Sequence, residues 1–446
     1  MRWLPQYLVR SCAYLSLGVL IGNSAAAQQT VVSAPADLVR LTLQDALDRA
    51  RRNSVTYQAA VVEAGIAHED KKLAVAGLLP SVIYNNSAIY TQGNGVNNPV
   101  RFIANNAVHE YLSQGNVHEV LDVAGFAEAR RASASAAAAR ARLEIASRGL
   151  VVTVVQSYFA AAAAQRKLEA AQKAADEGEN FLKLTQNLEQ GGEVAHTDVI
   201  KSELQVNDRR RQLQEAKLTL LNARLDFAVL IFPDFNDNFV LADDLHANSP
   251  LPELSEVQAR AARDNPEIRA ALETVKAAGH SVVAARAGYL PSLGLDYFYG
   301  IDATHFATRT DGISNLGSSA IATLNIPIWN WGATQSKVKQ AELRRDQTKR
   351  ELSLAQRKLL AELQSLYAEA QTAYDALLSL QRSAELGAES LRLVTLRYKN
   401  GESTVLEVVD AQNTAVLSDT AYQEGAVRYR VALANLQTLT GALTTP

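Results

Sequence analysis

Few residues in this chain have the types and spacing that chemistry needs. Its seven histidines form no H-E-x-x-H pair, and His109 and His118 in "VHEYLSQGNVHEV" stand nine residues apart, a poor spacing for a metal site. "GNGVNN", around Gly93 and Gly95, has the glycines of a phosphate loop without its Lys-Ser/Thr ending and reads as a surface loop. With no clustered acid, base or nucleophile, no catalytic residue, metal or cofactor is assigned. What remains is acidic. Glu407 and Asp410 are three residues apart and share a direction on a helix. Glu407 also follows Thr404 at the T-x-x-E spacing of a capping box, and Asp410 falls in the early turns, where the helix dipole favours a carboxylate.

These acids follow a sharp break. "RYKNGESTVLEVVDAQ", residues 397–412, interrupts one helical pattern with a glycine and resumes as another, and "EQGGEVAHTDVIKSEL", residues 189–204, has the same form. Gly401 can supply a left-handed C-terminal cap, and Thr404 can start the next helix. After the second break Val408, Ala415, Tyr422, Tyr429 and Leu436 recur every seven residues, with Ala411, Ser418, Gly425, Ala432 and Leu439 between them. After the first, Val199, Val206, Leu213, Leu220 and Phe227 keep that step, interleaved with Ser202, Arg209, Ala216, Ala223 and Leu230. These are the seams of left-handed coiled coils, and their small residues allow close approach. Before the second break Leu377, Leu380, Ala384, Gly387, Leu391, Val394 and Tyr398 complete an antiparallel partner. A helix from about Ala333 to Tyr398 would be roughly 100 Å long, the wrong length for a compact enzyme.

The breaks belong to two copies of one design. "RARRNSVTYQAA" from Arg49 and "RAARDNPEIRAA" from Arg260 align without a gap at 211 residues, and the same register matches "GLLPS" from Gly77 to "GYLPS" from Gly288. Residues 28–231 are expected to form the first repeat, with a β-hairpin at about 81–120 and a helical tip at about 190–197. Residues 255–446 form the second, with a β-hairpin at about 292–328 and a tip at about 399–404. The Pro-, Asn- and Asp-rich residues 232–254 are the linker. Only 6% of the 446 residues are aromatic and alanine comes in blocks, which favours long helices in close contact over a thick core.

Residues 1–27 read as a secretory signal: Arg2 and Arg10 precede an apolar run, and Ala25, Ala26 and Ala27 offer a cleavage site. No later apolar stretch of about 20 residues is evident. Cleavage removes Cys12, the single cysteine, and with it any disulfide or thiolate ligand; "VRSC" also lacks the small-residue setting of a lipoprotein signal. Without Arg2 and Arg10, 42 basic residues face 47 acidic ones, a formal charge of −5 that speaks against a nucleic-acid partner.

In "SLGLDYFYGID", Leu293, Leu295, Tyr297, Tyr299 and Ile301 share one face of a strand, while Ser292, Gly294, Asp296, Gly300 and Asp302 share the other, Phe298 excepted. Ala320, Ala322, Leu324, Ile326 and Ile328 alternate likewise, and the first half has weaker equivalents. Four strands of about ten residues have the length to span a membrane but cannot close a barrel, because the smallest barrels have eight. Either several chains share one barrel, or the hairpins are water-soluble and pack on helices.

The signal, the two helix-hairpin-helix halves, "LPS" entering each first strand, "NIPIWNWGA" leaving the last, and "RYKNGESTVLEVVDAQ" at the second tip together resemble the TolC family of outer-membrane efflux proteins. The likeness covers about residues 41–443 and is most specific over 398–412. It implies a mainly α protein with a membrane β-barrel portion. Each chain of a homotrimer would give four strands to a shared twelve-stranded barrel, and a long coiled-coil tunnel would reach into the periplasm. It also implies a periplasmic adaptor, an inner-membrane transporter and outer-membrane lipid as partners.

Gly191, Gly192, Gly401, Ser403 and Thr404 would then form tip turns where the adaptor docks. By the same resemblance Thr197 and Asp198 match a pair that contacts a tyrosine and an arginine to hold the tip closed. Tyr398 matches the tyrosine, and Ser403 stands where the arginine would be. Glu407 and Asp410 match the acids of the pore constriction, six carboxylates in a trimer, which would favour cations. Capping and dipole roles stay open for Glu407, Asp410 and Asp198, and heptad packing for Tyr398. The function expected is an export duct; a pore-less periplasmic scaffold and a secreted hydrolase are the rival readings.

Overall fold

The computed structural model describes residues 39–90, 109–233, 239–242 and 250–441. The expected signal with Cys12, the "GNGVNN" segment and parts of the linker lie outside the described residues.

The first half runs β1 (Val39–Leu41), α1 (Leu43–Asn53), α2 (Val55–Ala76), β2 (Ser81–Tyr90), β3 (His109–Leu121), α3 (Val123–Gln190) and α4 (His196–Ile231). After β4 (Phe239–Leu241) the second half runs α5 (Leu254–Asp264), α6 (Pro266–Ala287), β5 (Ser292–Ala303), the two-residue β6 (Arg309–Thr310) and β7 (Ile313–Ser314), β8 (Leu316–Asn325), α7 (Ala333–Lys399) and α8 (Val405–Thr440). The two halves match element by element: α1 and α5 have 11 residues each, α2 and α6 have 22, and α4 and α8 have 36. Local chemistry sets equivalent boundaries. Ser54 caps α2 and Asn265 caps α6, each accepting a backbone N–H of the first turn, and Pro266 opens α6 where no N–H is needed.

The helices form a wall one layer thick. Toward the sheet α2, α3, α6 and α7 lie side by side; toward the tips the row becomes α4, α3, α8 and α7. Helices α3 and α7, at 68 and 67 residues, run through both levels, about 100 Å each. The heptad seam of α4 is buried at Val199, Ser202, Val206, Arg209, Leu213, Ala216 and Phe227, and Leu377, Gly387 and Tyr398 are buried in that of α7. Packing is tight at Gly387, where an added Cβ would stand 2.5 Å from Ser418 Oγ and 3.2 Å from Ala415 Cα.

A thicker core exists at mid-height, where Val151, Val154, Val155, Tyr158 and Phe159 of α3 meet α1, Phe227 and Ile231 of α4, and Phe239. Two features here depart from the sequence expectations. Helix α3 carries an 18-residue window apolar enough to cross a membrane by composition, 44% of it buried in the molecule. The linker contributes β4, which pairs in parallel with β1 and brings Phe239 into this core.

The four long strands form one antiparallel sheet in the order β2-β3-β5-β8, the halves joining at β3 and β5. Its register aligns Tyr84 with Gly115, Val117 with Tyr297, and Tyr297 with Ala320. One face therefore carries Val82, Tyr84, Val117, Leu295, Tyr297, Tyr299, Ala320 and Leu324. The other carries Asn85, Gln114, Asn116, His118, Asp296, Ser319 and Thr323, with Ile83, Ile89, Leu112, Val120, Phe298 and Ile321 as apolar exceptions, and Asn86, Ser113, Glu119 and Ser318 are polar exceptions on the first. Strand β8 ends at Asn325, so Ile326 and Ile328 lie beyond it, next to Pro327. Among the described residues the outer edges of β2 and β8 have no neighbour.

Gly387→Ala should destabilise the α7–α8 seam by about 1–3 kcal/mol through overpacking. Gly149→Ala, where nothing lies within 4 Å of the new Cβ, should be neutral or stabilising by up to about 1 kcal/mol. Thermal melting of the helical circular-dichroism signal compares the two.

Candidate functional site

The residues singled out in the sequence gather at the end of the helical wall away from the sheet, where α3 turns into α4 and α7 into α8. Both turns are built alike. At the first, Gly192 has φ +76°, its N–H donates to Glu189 O at 2.8 Å, and Glu193 N–H donates to Leu188 O at 2.9 Å. At the second, Gly401 has φ +74°, with bonds from Gly401 N–H to Tyr398 O at 3.0 Å and from Glu402 N–H to Arg397 O at 2.9 Å. These paired bonds close the last carbonyls of a helix around a left-handed residue, which is why each turn uses glycine there. Gly191, by contrast, is right-handed, with φ −76°.

Thr404 starts α8 by accepting the Glu407 N–H at 3.3 Å. The Glu407 carboxylate does more than close a capping box: Ser403 donates its hydroxyl to it at 2.6 Å and Thr404 at 3.3 Å. The Ser403 bond, helped by Thr404 and the Arg397 charge, holds the Glu407 pKa below the usual carboxylate value. Glu407 and Asp410 are both exposed on α8, away from its buried Val405, Val408 and Ala411.

Thr197 is exposed, and Asp198 in the first turn of α4 pairs with Lys201 at 3.3 Å. Tyr398 is buried. Its ring packs on Phe181 of α3 at 5.2 Å between centroids, within an apolar cluster that also holds Val405 and Val408 of α8. Its hydroxyl is buried beside the Thr185 side chain, without a hydrogen bond of good geometry among the described residues; burial pushes its pKa up, Thr185 opposes the shift and the Asp198 charge adds to it. The structure pairs Asp198 with Lys201 rather than with Tyr398, and it makes the Tyr398 ring the centre of packing between the two hairpins.

Three tip interactions escaped the sequence reading. Arg397 donates to Glu402 O at 3.1 Å, His196 Nδ1 meets Glu189 Oε1 at 2.7 Å across the first turn, and the Ser202 hydroxyl donates to Thr185 Oγ1 at 3.3 Å between α4 and α3. The helix pairing shows the last; the first two depend on turn geometry. Beside the tips a groove of about 580 Å³ opens between α3 and α7, lined by Asn180, Phe181, Leu184, Leu391, Lys399 and Gln412. Among the described residues no three His, Asp or Glu side chains gather as metal ligands, and His118 instead meets Asp296 across the sheet at 2.7 Å.

Tyr398→Ala should cost about 3–5 kcal/mol by leaving a cavity against Phe181, whereas Tyr398→Phe, which removes only a hydroxyl weakly placed against Thr185, should change stability by less than about 1 kcal/mol. Protease susceptibility at the tips and thermal melting of the assembled protein distinguish them.

The comparisons with known proteins follow this geometry. The family model described as outer membrane efflux protein matches residues 46–231 and 258–442, one segment in each half. The chain is 25% identical over 423 residues to the proteases secretion protein PrtF of Dickeya chrysanthemi, covering 90% of this chain and 88% of that one. It is 23% identical to the alkaline protease secretion protein AprF of Pseudomonas aeruginosa, covering 91% and 86%. Among solved structures, the CmeC outer membrane channel of Campylobacter jejuni superposes with a TM-score of 0.74 at 19% identity, covering 90% of this chain and 85% of CmeC. The open state of the MtrE outer membrane channel of Neisseria gonorrhoeae gives 0.74 at 22%, covering 90% and 88%. The tandem match across both halves, with the same sheet-and-hairpin architecture, makes this chain a member of the outer membrane efflux protein family.

Proposed function

We propose that this chain is the exit duct of a tripartite efflux or type I secretion system, carrying drugs, metabolites or polypeptides from an inner-membrane pump and a periplasmic adaptor to the exterior. The observation that carries the reading is a four-stranded sheet whose two outer edges have no neighbour among the described residues, richer in apolar side chains on one face and in polar ones on the other, at the end of helices about 100 Å long. In a bilayer such edges require partners, and three copies joined β8 to β2 close a barrel with its polar face inward. Residues 1–27 direct export, residues 28–231 and 255–446 are the two repeats, and 232–254 link them. The duct does no chemistry of its own. Passage is gated at the tips, where Gly191, Gly192, Gly401, Ser403 and Thr404 shape the surface that meets the adaptor and Thr197, Asp198 and Tyr398 position the hairpins. Near-full-length similarity to two proteins named for protease secretion favours a polypeptide cargo.

Mass measurement in mild detergent should give three copies per particle, extracted from outer-membrane fractions. A stable monomer there would sink the shared barrel.

Glu407 and Asp410 form the cation-selective constriction in this reading. Single channels should prefer cations and be blocked by a multivalent cation added on the tip side; Glu407→Gln with Asp410→Asn should weaken both properties. Because the Ser403 bond stabilises the ionised Glu407, block should persist on acidification until pH falls through the lowered pKa. Ser403→Ala removes that bond and raises the pKa, so block should be lost at higher pH than in the parent. A double amide that blocks as well as the parent would make both carboxylates helix caps.

A further inference from the structure

Arg209 is a buried cation in an apolar seam. It lies on α4, about 16 Å along the helix from Asp198, and is 4% exposed. Asp208 and Glu177 act on it only through their fields, and burial lowers its pKa. Its hydrogen bonds go to carboxamides instead. Nη1 donates to Gln212 Oε1 at 2.9 Å and Nη2 to Asn413 Oδ1 at 2.6 Å. Gln205 joins the set in either amide orientation: its Nε2 donates to Asn413 Oδ1 at 3.2 Å or, turned over, its oxygen accepts from Arg209 Nη2 at 3.0 Å and Nε at 3.2 Å. Gly178 of α3 lies against the Arg209 stem.

Asn413 belongs to α8, so these bonds pass from one helical hairpin to the other. A guanidinium in a heptad seam gives up hydration that an aliphatic side chain would not miss, and such groups are best understood where they fix geometry. Neutral carboxamides hold a cation less tightly than carboxylates do. The link is therefore directional and able to open. Ser403, at the tip turn, offers no guanidinium for such a link.

We propose that Arg209, Gln205 and Asn413 form a clasp that ties the two hairpins of one protomer together and sets the width of the passage at that level. The consequence for passage rests on the export-duct reading; the clasp geometry does not.

The test uses the assembled protein with spin labels at Leu204→Cys and Leu417→Cys, exposed positions on α4 and α8, and one labelled protomer per particle. The parent should give a narrow distance distribution. Arg209→Met, which keeps length and apolar packing, should shift it to longer and broader distances. Single-channel conductance should rise above the parent's as the passage widens. Asn413→Asp supplies a charge-assisted partner and should narrow the distribution and lower conductance. An unchanged distribution in Arg209→Met overturns the clasp. If that variant does not assemble, Asn413→Asp carries the test, and no change in either readout overturns the clasp. A parent particle that passes no current overturns the duct reading instead, and the distances alone then decide the clasp.

Discussion

Two unpaired strand edges govern this architecture. Each long strand can satisfy its backbone only through neighbours, and the described residues supply them for β3 and β5 on both sides but for β2 and β8 on one. In water an exposed edge costs little; in hydrocarbon each orphan amide or carbonyl costs several kcal/mol, so a sheet of this kind persists in a membrane only when other copies complete it. The exposed tyrosines, valines and leucines of one face, and the amides and carboxylate of the other, fit that setting and would be a liability in a free soluble domain.

The helical part obeys a related constraint. A wall one helix thick buries little, so its stability depends on narrow seams, where alanine, glycine and serine let helices approach closely and dispersion contacts accumulate. Closeness is also why a single methyl at Gly387 matters. At mid-height the wall thickens around Tyr158, Phe227 and Phe239, and the pairing of β1 with β4 closes this collar. The tips lie far from that support, so Phe181, Tyr398, Val405 and Val408 form the local core that joins the two hairpins where the polar residues gather.

Much of this fold was legible because its determinants are local and repeat. The seven-residue step picked out Val199, Ser202, Val206, Arg209, Leu213 and Ala216, all of which are buried. The glycines of the reversals marked the tips, and Gly401 is left-handed as its place after the helix requires. Less was legible where residues depend on distant partners. The sequence showed no later apolar stretch of about 20 residues, yet α3 holds an 18-residue window apolar enough by composition to cross a membrane, 44% of it buried in the molecule. The linker looked like a plain interruption, yet three of its residues add a strand to the first half.

By itself, then, the sequence determined the two-fold repeat, the heptad seams, the tip turns and the two-faced strands, because each is written in spacings of two, seven or about 211 residues along the chain. Tertiary structure decided which residues face one another. Ser403, marked as a tip-turn residue and a missing arginine, became a hydroxyl donor to the Glu407 carboxylate; Tyr398, marked for a tip hydrogen bond or for packing, became the ring that packs on Phe181; Arg209, read as one more seam position, reached across to Asn413. A period can say which side of a helix is buried. It cannot say which side chain from a helix some 200 residues away will fill the space opposite, because that depends on how the two hairpins are set against each other in space.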